Sequence, residues 1–128
     1  MNGPTLLLVE DNILNQKLIF LNLIKFGFKI DVANNGLEAI DKFRERKYNL
    51  ILMDLMMPFM DGLEATQEIR NIESVNGGHT PIIGLTANTY DADREKCLSS
   101  GMDEFMTKPF DIEVFQNIVK ELGIEIIN

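Results

Sequence analysis

Short apolar runs alternate along this chain with longer stretches in which apolar residues recur every three or four positions. "TLLLVE", "ILMD" and "PIIGLT" are nearly unbroken runs, the pattern of strands covered on both faces. "KIDVA" and "EFMTK" are mixed and predict weaker strands. Helical periodicity fills the gaps. The first helix starts after Asn12, a good N-cap, and ends at Gly27, a good C-cap. The second follows "NNG" with Leu37, Ala39, Ile40 and Phe43. The third follows "MDG" with Leu63, Thr66 and Ile69. The fourth spans Asp91 to Ser100, before Gly101. The fifth follows Asp111, with Val114, Phe115, Ile118, Val119 and Leu122.

Strand–helix repeated five times predicts an α/β fold with helices on both faces of a parallel sheet. Right-handed crossovers leave few topologies. The leading one is the flavodoxin-like (βα)5 doubly wound sheet, strand order 2-1-3-4-5, whose ligands bind beyond the carboxyl ends of strands one and three.

The chain has 128 residues, which predicts a single domain over 1–128. Hydrophobic content of 45% and charged content of 25% fit a folded soluble protein. A net charge of −8 argues against direct nucleic-acid binding. A lone cysteine, Cys97, precludes an internal disulfide. No run is long enough to span a bilayer, and "MNGPTLLLVED" is not a signal peptide, so a cytoplasmic location is expected, without direct membrane contact.

One acid stands out within the stretch "NLILMDLMMP". Asp54 follows an apolar run, where an unpaired carboxylate is costly. The predicted topology supplies company. Strand one ends in Glu10 and Asp11, strand three in Asp54, strand four in Thr86, and strand five runs into Lys108 and Pro109. All would share one rim. Crowded carboxylates raise one another's pKa unless a cation compensates. With only oxygen ligands on offer, a hard ion is implied, and Mg²⁺ fits best. Thr86 and Lys108 then suit an anion with several oxygens, so the rim reads as a phosphoryl site with a carboxylate nucleophile.

The chain resembles a response-regulator receiver domain over essentially its whole length. "VEDN", "LMDLMMPFMDG", "LTAN" and "MTKPF" carry the likeness, in order, at the ends of strands one, three, four and five. "EDNILNQ" is similar to receivers of hybrid sensor kinases and phosphorelays. The resemblance implies a module of two-component signalling rather than an enzyme. Asp54 takes a phosphoryl group from a phosphohistidine partner. Mg²⁺ is held by Asp11, Asp54 and the backbone carbonyl of Met56, with Glu10 acting through water. Lys108 and Thr86 bind the phosphoryl oxygens, Ala87 leaves access, and the Lys108–Pro109 bond is cis. Thr86 and Phe105 form the switch that changes the surface of the fourth helix, fifth strand and fifth helix. Phe105 stands where many relatives have tyrosine, and it lacks the hydroxyl. Met56 and Asn88 flank the path of attacking water, which implies slow to moderate self-dephosphorylation.

The first helix carries two apolar stripes. Leu18, Ile19, Leu23 and Phe26 are expected to face the sheet. Ile13, Phe20 and Ile24, with Leu14 and Leu21 nearby, would then be exposed. In phosphorelay relatives this helix docks the phosphohistidine-bearing bundle of a histidine kinase or histidine phosphotransfer protein, and the second stripe is assigned that role. His79, in "GGHTP", is expected to be an exposed loop residue, and Cys97 a small core hydrophobe. Ordinary packing is expected of Met53, Met56, Met57 and Met60, and Gly62 is expected to permit the turn into the third helix.

Two other readings compete. A phosphatase similar to the haloacid dehalogenase family would place an acid two residues after its nucleophile, where Met56 stands. A flavodoxin-like cofactor binder would want a Gly-, Ser- or Thr-rich loop where "VEDNILN" is acidic.

Overall fold

The unbroken strands and the periodic helices form as the pattern predicts. A computed structural model describes residues 4–87 and 91–124, with backbone only at 91–93. The elements are β1 (Thr5–Val9), α1 (Ile13–Ile24), β2 (Lys29–Ala33), α2 (Gly36–Glu45), β3 (Leu50–Asp54), α3 (Gly62–Asn76), β4 (Ile82–Thr86), α4 (Asp91–Ser100), β5 (Glu104–Thr107) and α5 (Ile112–Glu121). All pairings are parallel, in the order β2-β1-β3-β4-β5.

The apolar strands are continuous because alternate residues serve opposite faces. Leu7, Val9, Ile51, Met53 and Ile82 face a core completed by α2, α3 and α4, through Ile40, Ile69 and Cys97. Leu6, Leu8, Leu50, Leu52, Ile83 and Leu85 face the other, completed by Ile19 and Leu23 of α1 and by Phe115 and Val119 of α5. Phe115 packs edge-on against Phe28, ring centroids 5.9 Å apart.

The helix starts are set by side-chain oxygens. Asn12, Asn35, Asp61 and Asp111 each accept from backbone N–H groups of the following first turn. Such caps are worth about 1 kcal/mol each. α1 stops at Ile24, three residues short of the predicted Gly27, which instead closes the turn at φ 81°.

Three apolar residues depart from their expected stripes. Ile19 and Leu23 are buried, but Leu18 is 54% exposed. It lies about 100° round the helix from Ile19, over a groove it shares with Pro109 and Phe110. Leu37 and Val114 are also exposed, at the edges of the buried faces of α2 and α5. The second stripe of α1 is open as expected: Ile13, Leu14, Phe20, Leu21 and Ile24 are all exposed. Among the described residues no helix is long and apolar enough to cross a membrane.

Candidate functional site

Because every strand runs the same way, the residues that end β1, β3, β4 and β5 share one rim of the sheet. Asp54 is the last residue of β3, paired in register with Leu85 of β4 and only 1% exposed. Its Oδ1 lies 2.8 Å from Nζ of Lys108 and accepts a longer hydrogen bond, 3.3 Å, from the Met56 N–H. The backbone N–H of Lys108 donates to the carbonyl of Thr86 at 2.7 Å. Lys108 therefore ties β4 to β3 through main chain and side chain at once. Thr86 is buried at the end of β4, opposite Thr107. The Lys108–Pro109 bond is cis, as the resemblance implies.

Glu10 follows β1 and is as buried as Asp54, at 1% exposure. Its Oε2 accepts from the Asn12 N–H at 3.0 Å, and its carbonyl is held by the Gln16 side chain. Its Oε1 is buried with no hydrogen-bond partner among the described residues. Burial pushes the Glu10 carboxyl up to about 7. The Asn12 N–H opposes the rise, the charge of Asp54 adds to it, and Lys108 opposes it in turn. Asp11 is exposed, and ligand oxygens of Glu10, Asp11 and Asp54 all lie within 4.8 Å of one another. An orphaned buried oxygen inside an all-oxygen acidic cluster is what a hard divalent cation satisfies. The donor set thus fits Mg²⁺.

The loop after Asp54 is folded tightly back. Gly62 N–H donates to the Leu55 carbonyl at 3.0 Å, and Gly36 N–H donates to that of Met60 at 3.2 Å. A β-carbon on Gly62 would sit 2.3 Å from the carbonyl oxygen of Asp54. Gly62 permits the entry into α3 through this close approach of main chain to main chain. Met53 is buried, and Met57 and Met60 pack against the core, but Met56 is 75% exposed and departs from ordinary packing.

Phe105, on β5, is partly buried, with the Arg94 guanidinium 5.9 Å above its ring. Cys97 is buried as expected. His79 is mostly exposed, yet its Nε2 lies 2.6 Å from Asp103 Oδ1. That contact belongs to a network the sequence did not reveal. Arg70 of α3 donates to the carbonyls of Gly101 and Thr80 and pairs with Glu73 and Asp103. Asp103 and Glu73 also accept from the Ile82 and Thr80 N–H groups. Only the Arg70–Glu73 spacing, three apart on a helix, was a visible signal. Asn88 lies outside the described residues.

A flavodoxin-like sheet with this rim defines a class of phosphoryl-signalling folds. The family model of the response regulator receiver domain matches residues 6–120, and the chain belongs to that family. It is 46% identical over 118 residues to hybrid signal transduction histidine kinase I of Dictyostelium discoideum, an alignment covering 88% of this chain but 7% of that protein. It is similar to the receiver domain of sensor histidine kinase PA1611 of Pseudomonas aeruginosa PAO1, with 41% identity, a TM-score of 0.83, and 93% and 96% of the two chains covered. That crystal structure has a magnesium ion coordinated in its active-site cleft. The receiver domain of the response regulator Ssk1 of Saccharomyces cerevisiae, co-crystallised with the histidine phosphotransfer protein Ypd1, gives 33% identity and a TM-score of 0.88, covering 95% and 90%.

Proposed function

We propose that this receiver domain takes a phosphoryl group from a phosphohistidine partner onto Asp54. The observation that carries the reading is the buried Asp54 carboxylate, held by Lys108 at 2.8 Å and clustered with Glu10 and Asp11. The carboxylate attacks phosphorus. A P–O bond forms, the P–N bond breaks, and its electron pair returns to the imidazole, which takes a proton from solvent. Lys108 exchanges its ion pair with Asp54 for one with the incoming oxygens, and the Thr86 hydroxyl donates to the same group. Glu10, Asp11, Asp54 and the Met56 carbonyl would hold Mg²⁺. When bound, that ion offsets the crowded negative charge during transfer.

The acquired charge, about −1.5 to −2, then biases Thr86 and Phe105 and the surface of α4, β5 and α5. The partner is a histidine kinase or histidine phosphotransfer protein, docking on α1 through Ile13, Phe20 and Ile24. The domain acts as a cytoplasmic signalling switch and not as a turnover enzyme.

The test is labelling with phosphoramidate and Mg²⁺. One base-labile phosphoryl group per chain, lost in Asp54→Asn, is expected. Continuous release of phosphate, or equal labelling of the variant, would overturn the reading.

A further inference from the structure

β2 is an outer strand of the sheet, with β1 as its only neighbour among the described residues. It bonds β1 through alternate residues. The Lys29 N–H donates to the Pro4 carbonyl at 2.9 Å, and the Ala33 carbonyl accepts from the Glu10 N–H at 3.0 Å. The residues out of step with these, Ile30 and Val32, turn their N–H and C=O groups away from β1. Those groups have no hydrogen-bond partner among the described residues. Phe20 and Leu21 of α1, both exposed, share a hollow with Val32 beside this edge. A row of open backbone groups next to an apolar shelf is what takes an added strand.

The charges on the edge say which strand. Lys29 is exposed and has no ion pair or side-chain hydrogen bond among the described residues. Asp31 accepts from Arg46 at 3.0 Å and from the Tyr48 hydroxyl at 2.8 Å, both through Oδ2, which leaves Oδ1 open. Two apart on a strand, Lys29 and Asp31 point to the same face. Opposite charges at that spacing complement themselves about the residue between them. A two-fold axis through Ile30 sets each Lys29 against Asp31 of the second copy, whereas an axis through Asp31 sets two carboxylates face to face. In the first register the two Ile30 residues exchange both hydrogen bonds. α1 covers the sheet face that carries Ile30 and Val32. The axis therefore brings both α1 helices to one side of the seam, with Phe20 and Leu21 of each beside it.

We propose that β2 is a self-association edge. Two copies of this domain join antiparallel through β2, centred on Ile30, into one continuous sheet. Phe20 also belongs to the α1 surface proposed above for the phosphotransfer partner, so the two contacts exclude each other. The test reads mass and cross-linking alone, and its outcome is independent of that reading.

Sedimentation equilibrium of the wild type is expected to show the mass rising from 14.6 kDa toward twice that value as concentration approaches about 1 mM. Lys29→Glu, which touches no bond within the domain, should weaken the dimer about tenfold or more, because two ion pairs become two repulsions. Ile30→Cys should form a disulfide-linked dimer on mild oxidation, since paired residues that exchange both hydrogen bonds lie about 5.5 Å apart at Cα, within disulfide reach. Lys29→Cys, facing position 31 of the other copy, should not. Cys97 is buried and does not compete. A mass fixed at 14.6 kDa throughout, a dimer indifferent to Lys29→Glu, or cross-linking as fast at position 29 as at position 30 would each overturn the inference.

Discussion

Nζ of Lys108 reaches to 2.8 Å from Oδ1 of Asp54, linking the residue that follows β5 to the one that ends β3. Removing the ammonium leaves a carboxylate that is 1% exposed among other acids. Lys108→Met is therefore expected to slow phosphoramidate labelling about 100-fold, the usual loss for one electrostatic donor. Mg²⁺ binding should survive, because no ligand is lost. Stopped-flow labelling and a metal titration on the same variant separate the two effects.

Glu10 sets a pH dependence whose sign follows from its raised pKa. Its carboxyl titrates near 4.5 when unfolded and about 7 when folded. Between those values the native state binds more protons, so metal-free stability falls as pH rises and levels off above 7. Glu10→Gln should flatten that slope, being no more stable than wild type at pH 4 and more stable at pH 8. In saturating Mg²⁺ the advantage should vanish. Binding of the ion should release protons, with affinity about tenfold weaker at pH 6 than at pH 8. Urea unfolding and calorimetry in buffers of different ionisation enthalpy measure both.

Gly62→Ala puts a methyl group 2.3 Å from the Asp54 carbonyl oxygen. The obstacle is main chain and cannot rotate away. A loss of about 2 kcal/mol is expected, along with slower labelling, because the displaced atom belongs to the nucleophile's own residue. Chemical denaturation, combined with phosphoramidate kinetics on the folded fraction, checks this.

Arg70 is the hub at the opposite end of the sheet. Its side chain is 17% exposed, and its partners Glu73 and Asp103 are 6% and 20% exposed. Arg70→Met takes the guanidinium from two largely buried acids, leaving them their N–H donors and, for Asp103, His79, and a loss of about 3 kcal/mol is expected. The triple variant that also carries Glu73→Gln and Asp103→Asn should recover part of that loss, since the charges are gone while an amide oxygen still accepts from the Thr80 and Ile82 N–H groups. A triple variant less stable than Arg70→Met would show the stranded charges not to be the cause.

The exposed stripe of α1 yields a contrast between donors. Ile13→Ser with Phe20→Ser removes two exposed apolar side chains that belong to neither buried core cluster. Transfer from a phosphorylated histidine phosphotransfer protein should fall about tenfold or more, with labelling by phosphoramidate unchanged. Equal transfer by the double variant would remove α1 from the docking surface.

Strand identity and order were legible because an apolar run such as "LILM" has one economical use, a strand with both faces covered. The acids were legible for the same reason: Asp54 interrupts such a run, and the topology assigns Glu10 and Asp11 to its side. Leu18 was misjudged because apolar periodicity marks more of α1 than one sheet face can cover. The Arg70 network stayed hidden because its partners lie as many as 33 positions away and meet only after the sheet has formed. The left-handed backbone of Phe59, at φ 70°, stayed hidden for a different reason: nothing in "MPFMDG" announces a phenylalanine at positive φ.

The guanidinium of Arg70 grips Gly101, at the exit of α4, and Asp103, at the entrance to β5. Asp103 in turn holds the first N–H of β4. β5 is thus fastened beyond both of its ends: Asp103 ties its start to α3 and β4, and Lys108 ties the residue past its finish to Thr86 and Asp54, so the one polar tether that an incoming anion can take over is the Lys108 side chain.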